Sequence, residues 1–574
     1  METFKSPVAR LARLFQTSRD AWKAKALDKQ RRLRAAQIKI RDLEASRAQW
    51  KARALAAEAE AARRDPEPTP TAEASEPDAP AQRLARLPPA GHHHSLLVMH
   101  LTLQMYLSAG LSSRGVPRVL NLFAPWFPVG VPAYTTVLNW VYRCGLAVLQ
   151  RSPERREDWI YVVDHTIALG TAKCLVILGI PASRLVDTGY SPSHHAMRVL
   201  AVEVTEHSTG AWVATVLRDV AQRTGVPVQI VADHGSDLLK GITLFQQEHA
   251  PPCVETYDIS HRIATLLKAE LTPDDRWKAF LAHARATLAS FQQTDLAFLL
   301  PPRQRTKARF MHFEVHVEWA QQVLAYADRG DFSAIRRTCV LSVSAWEYLR
   351  GRLGATRVQP LRPLIGHRYP DQTTFSQALQ TVSDLTPDDL DDAFWDLADT
   401  GRARFLEGFA WVNAYRDDLV VYAQMMEQSK AIQAFLKSEG LHAGVGEPLQ
   451  ATLAPPAALT PRAADFTNRI LAQVAREAAK IPPGQTWLAS SDIIESVFGK
   501  YKTFTSRSPL KEVGRLVLAI PAFITDLTTS VIRDAMESVR TLDVERWVKT
   551  HLGDSMLAKR RQAFRVLIAD TDTA

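Results

Sequence analysis

Between Trp159 and Lys268 the hydrophobic period of the chain switches repeatedly between that of a strand and that of a helix, and the order of the switches limits the fold to few arrangements. Trp159-Ile-Tyr-Val-Val-Asp164 is a short β-branched and aromatic run that ends in a carboxylate. A turn near Gly170 separates it from Lys173-Cys-Leu-Val-Ile-Leu-Gly179, close enough for a hairpin. Arg198-Val-Leu-Ala-Val-Glu-Val204 gives a third strand, followed by a helix from about Gly210 to Thr224. Val226-Pro-Val-Gln-Ile-Val-Ala-Asp233 gives a fourth, again ending in a carboxylate, with a helix through about Gln247. Val254-Glu-Thr-Tyr257 is a short fifth strand, and Asp258 caps the next helix. Strands alternating with helices in this way predict an α/β core.

In open α/β sheets ligands gather at the carboxyl ends of the strands, which is where Asp164 and Asp233 fall. An aspartate at a strand end is by itself more often a cap or turn residue. Two buried carboxylates facing each other repel unless cations neutralise them, and hard oxygen ligands suit Mg²⁺ or Mn²⁺. A pair of such ions can activate a water or a 3′-hydroxyl on one side of a phosphodiester and stabilise the leaving oxygen on the other. A third acidic residue would complete the cage. His165 and His234 directly follow the two aspartates, but neighbours on a strand point to opposite faces, so His165 should not share Asp164's ligand set. The four cysteines are far apart and read as reduced core residues.

The remaining 460 or so residues are mostly helix-forming. Residues 1–64 read as a basic helical arm, with Phe15, Trp22, Ala36, Leu43, Trp50 and Ala57 in a seven-residue register that Lys29 interrupts. Either a coiled coil or an amphipathic helix packed on the protein satisfies that pattern. Net charge is +9, and the 17 Lys plus Arg against 8 Asp plus Glu in residues 1–65 account for all of it. A basic excess at one end suits an arm for a polyanion such as DNA, or simply a solvated helix. Residues 65–92, rich in proline and poor in apolar side chains, are expected to be a disordered linker.

Residues 93–152 read as a helix-turn-helix, with Tyr134, Thr135, Asn139 and Arg143 facing a DNA groove, or as a helical bundle that only packs. Residues 153–268 hold the alternating strands and helices, and 269–485 read as helical. Residues 486–510 hold a late core helix, and 511–574 a helical tail with the basic run Lys559-Arg560-Arg561. No apolar run approaches the roughly 20 residues that cross a bilayer, and the N-terminal residues lack a secretion signal. A cytoplasmic protein without membrane contact, nucleoid-associated when bound to DNA, is expected.

Tyr-Val-Val-Asp164, Ile-Val-Ala-Asp233 before a helix, and Asp-Ile-Ile-Glu495-Ser-Val-Phe498-Gly-Lys500-Tyr-Lys502 together resemble the DDE transposases of the ribonuclease-H-like, retroviral-integrase superfamily, of bacterial insertion-sequence type. The resemblance implies a ribonuclease-H-like core split by a long α-helical insertion. It also implies Asp164, Asp233 and Glu495 as catalytic ligands of two Mg²⁺ ions that Mn²⁺ can replace, with Lys500 or Lys502 on DNA phosphate. Asp237, Asp258 and Asp492 are other candidates for the third carboxylate, although Asp492 at a helix start suits capping. The implied partners are double-stranded DNA, as transposon ends and as target, and a second copy of the chain, at least as a dimer on DNA. The rival readings are a metal-dependent nuclease without joining and a non-catalytic DNA-binding regulator.

Overall fold

The computed structural model describes residues 87–125, 130–167, 170–249, 253–304, 310, 313–330, 335, 338–507 and 512–571. The arm 1–64 and most of the linker therefore lie outside the described residues. The end of the linker, 87–92, is hydrogen-bonded: Leu87 accepts from Leu96, and the His92 imidazole sits 3.4 Å from the Met536 carbonyl. This stretch finds polar partners that composition does not reveal.

Five strands form one sheet: β1 (Trp159–Ile167), β2 (Lys173–Pro181), β3 (Arg198–Thr205), β4 (Gln229–Ala232) and β5 (Val254–Tyr257). Their order is β3-β2-β1-β4-β5, so β1, the first in sequence, lies in the middle. β1 runs antiparallel to β2 and parallel to β4, while β5 is parallel to β4. The hairpin needs only a tight turn. The parallel strands need helical crossovers, which α1 (Gly210–Thr224) and α2 (Ser236–Gln246) supply. These two helices cover one face, packing Val213, Leu217, Leu238 and Ile242 onto Tyr161, Val163, Ile230 and Ala232. They approach so closely that a Cβ on Gly241 would stand 2.5 Å from Val213.

The alternate residues Ile160, Val162 and Val231 belong to the other face, and a larger core covers it. Helix α3 (Ile259–Leu271) starts there, capped by Asp258. The long helical region that follows is not wholly helical. Within it β6 (Cys339–Val340) pairs with β7 (Arg368–Tyr369), inside a separate small core built around Leu349, Phe375 and Phe394. Two-residue strands carry too little alternation to be read from sequence, which explains the difference from the expected α-helical insertion.

After α4 (Pro461–Ala478) the chain returns to the sheet. The buried Gln229 side chain, at the start of β4, donates to Leu488 O at 2.8 Å and accepts from Leu488 N at 3.2 Å. Ile259 N then donates to Ala489 O at 3.0 Å. These bonds lay 488–489 along the sheet face and deliver helix α5 (Asp492–Thr505) beside β1, with Ile494, Val497 and Phe498 in the larger core.

The segment expected as a helix-turn-helix or a packing bundle holds three helices, Leu96–Leu107, Gly115–Phe123 and Tyr134–Gln150. Its last helix runs from Tyr134 to Gln150, and Val137, Trp140, Val141, Cys144 and Leu146 are buried against the sheet and the C-terminal helices. An added Cβ on Gly145 would collide with the Leu518 carbonyl. Arg143, expected in a groove, donates through Nε to Val539 O at 2.5 Å and through its other nitrogen to Met536 O. Two of its three guanidinium nitrogens are thus held by backbone within the chain. Tyr134 and Thr135 remain exposed, and Asn139 is half-buried. No helix among the described residues is long and apolar enough to cross a membrane. All four cysteines are buried and free.

Candidate active site

Val163 pairs with Ala232 at the end of the parallel β1–β4 ladder. Asp164 and Asp233 are the next residue on each strand, and adjacent strands lie about 4.8 Å apart. The charge of Asp233 acts on the Asp164 carboxyl, and alternation along β1 turns Asp164 toward the face of Val162, away from α1 and α2. That is the face on which α5 packs, and Glu495 follows the buried Ile494 on that helix. The two aspartates and Glu495 therefore converge on one rim of the sheet.

The electrostatics of this rim are those of crowded anions. Burial pushes the Asp164 carboxyl well above the usual carboxylate range, and the charge of Asp233 pushes it further. The His165 backbone N–H, 2.6 Å from Asp164 Oδ1, opposes the rise, while the charges of Glu495 and Asp258 add to it. Among the described residues, no three acidic, histidine or cysteine side chains are gathered at metal-binding distance. The three carboxylates are thus coupled through charge without being closed into a cage. Their chemistry, hard oxygens crowded in a partly buried rim, fits a divalent ion such as Mg²⁺.

The other acidic candidates each have partners of their own. Asp237 pairs with Lys173 at 2.9 Å. Burial alone would raise it, but hydrogen bonds from Lys173 and Ser208 outweigh burial and bring it to about 2. Asp492 pairs with Lys437 at 2.7 Å and accepts from Ser260 at 3.2 Å, so it does not cap its own helix. Asp258 accepts from His261 N at 3.2 Å and from the Ser491 hydroxyl at 2.5 Å. Asp258 therefore ties the start of α3 to the residue before α5, and helps set where Glu495 stands.

The histidines are supports. His165 lies on the opposite face from Asp164, 3.2 Å from the Ser208 hydroxyl. His234 stacks on Tyr257 at 3.7 Å and reaches Glu255 at 2.7 Å, which Lys480 also holds at 3.1 Å. The Glu255–Lys480 pair was invisible in the sequence because its members are 225 positions apart.

The two lysines of α5 separate by helix geometry. Lys502, seven residues after Glu495, lies on Glu495's flank two turns on, whereas Lys500 is rotated well away. Lys500 instead meets His194 Nδ1 at 3.1 Å, and His194 Nε2 meets the Ser496 hydroxyl at 3.1 Å. Burial, and then the Lys500 charge, hold His194 below the ordinary imidazole range. Lys502 is exposed and makes no ion pair among the described residues.

Sheet and rim together define a mixed α/β protein with an acidic cluster at the carboxyl ends of its central parallel strands. No known family profile and no curated protein matches the chain. Among solved structures the chain is similar to the Drosophila P element transposase strand transfer complex, at 12% identity and a TM-score of 0.31, over 79% of this chain and 96% of that one. So distant a likeness carries no argument about chemistry, which rests on the side chains described above.

Proposed function

We propose that this chain is a DDE-type transposase that cleaves DNA at transposon ends and transfers the freed 3′-hydroxyl strand into target DNA, using divalent metal. One observation carries the reading: Asp164 and Asp233 directly follow Val163 and Ala232, the last paired residues of the parallel β1–β4 ladder, and the charges of Asp233 and Glu495 both act on the Asp164 carboxyl. The central β1, the antiparallel β1–β3 meander and the parallel β4–β5 extension support a ribonuclease-H-like core, with residues 269–485 as its insertion. Asp164, Asp233 and Glu495 would hold two Mg²⁺ ions, or Mn²⁺ in their place. When bound, such ions stabilise charge on the entering and leaving oxygens of an in-line displacement. Lys502 would hold a phosphate near the cut, Tyr134, Thr135 and Asn139 remain candidate DNA contacts, and a dimer would hold two ends.

The test incubates the full chain, with Mg²⁺, with duplexes carrying the DNA that borders its own coding sequence. Cleaved ends joined to a target duplex are expected, and chelation of the metal should abolish them. Cuts without joined products would make the chain a nuclease, and DNA binding without cuts would make it a regulator.

A further inference from the structure

The basic run Lys559-Arg560-Arg561 lies on helix α6 (Met556–Thr571), and none of that helix's described side chains is buried. Among its described side chains, the first turn roots the helix. The Met556 N–H donates to Glu512 Oε2 at 2.5 Å, and Lys559 Nζ pairs with Glu206 at 3.2 Å. The Met556 sulfur stands 3.4 Å from where a Cβ on Gly170 would be.

These roots locate the helix. Ile167 pairs with Lys173, and Lys173 with Thr205. Gly170, in the turn between β1 and β2, and Glu206, just past β3, therefore sit at the same edge of the sheet as Asp164. From Met556 to Ala569 the sequence has four cations, Lys559, Arg560, Arg561 and Arg565, and no acid. The Lys559–Glu206 pair has both side chains 57% exposed, so water screens it and a phosphate can displace Glu206. The acidic rim repels a nucleic-acid backbone, and an exposed cationic helix rooted beside it supplies the complementary field.

We propose that α6 is a DNA-backbone clamp at the rim of the active site, gripping duplex phosphates without reading base sequence. The inference rests on the DNA-processing role above and adds an element that directs the duplex to the carboxylates.

The test compares the wild-type full chain with a variant carrying Lys559→Gln, Arg560→Gln and Arg561→Gln, with Gln562→Ala as control. Binding to a labelled random-sequence duplex is followed by fluorescence anisotropy across a range of salt. The triple variant should lose at least about tenfold in affinity at moderate salt and flatten the log–log salt slope by about 2 to 3, as expected for three lost phosphate contacts. An unchanged slope in a variant that still cleaves end-bearing DNA would overturn the clamp and leave the transposase standing. An unchanged slope with a smaller sedimenting mass would assign α6 to contact with a second copy. Wild-type protein without affinity for any duplex would overturn both inferences.

Discussion

Asp164 is buried beside Asp233, and both conditions oppose its ionisation. A carboxyl raised in the folded chain binds its proton more readily there than in the unfolded chain. Stability from this group is therefore full below the ordinary carboxylate range and is lost as pH rises through that range toward the raised value. Without metal, ionisation of the rim destabilises the fold, and a divalent ion should reverse the effect. Asp164→Asn should therefore raise the thermal midpoint of the metal-free chain. Mg²⁺ should raise the midpoint of the wild type and leave that of the variant nearly unchanged. Scanning both proteins with and without Mg²⁺ checks this, and a variant that responds to Mg²⁺ like the wild type would remove Asp164 from the ligand set.

At the scale of elements, the five strands were legible because each is either a β-branched run or bounded by a turn, and Asp164 and Asp233 fall where two of those runs stop. The face of Asp164 followed from alternation along β1 alone. The helix from Tyr134 to Gln150 was not legible as packed, because its partners, Met536, Val539 and Leu518, come almost 400 positions later. A helix end that looks polar in sequence can be one whose polar groups are satisfied by distant backbone. Arg143→Ala should leave the Met536 and Val539 carbonyls with one partner fewer each and cost about 2–3 kcal/mol in urea unfolding, with DNA affinity unchanged. A loss of DNA affinity with unchanged stability would support the groove-facing role. On α5, the helical period separates two lysines that the motif left equivalent. Lys502→Gln should reduce cleavage by about tenfold or more, the scale of one lost charge-assisted phosphate contact, whereas Lys500→Gln should reduce it much less. Equal losses at both positions would contradict the assignment by flank.

Across the whole molecule, the site depends on a chain that leaves the sheet after β5 and comes back more than 200 residues later. Sequence suggested the return only through resemblance. Its physical basis is the Gln229–Leu488 pair of hydrogen bonds, the Ile259–Ala489 bond and the Asp258–Ser491 contact. None of these has a local signature. A polar residue at the start of a strand, such as the fully buried Gln229, shows its purpose only once its partner 259 positions away is in place. The small β6–β7 core within the insertion escaped the sequence for a related reason, since strands of two residues are defined by their partners rather than by their own period.

Glu495, 262 positions from Asp233, joins the two aspartates only through that return, so it tests the account most directly. The measurement is cleavage and joining of end-bearing DNA with Mg²⁺ by the Glu495→Gln variant, alongside its DNA affinity and thermal midpoint. The amide keeps the shape of the side chain and removes the charge, so activity should fall by at least about a thousandfold while affinity and folding are retained. Full cleavage and joining by Glu495→Gln, with activity lost instead in Asp258→Asn or Asp492→Asn, would contradict the assignment of the third ligand.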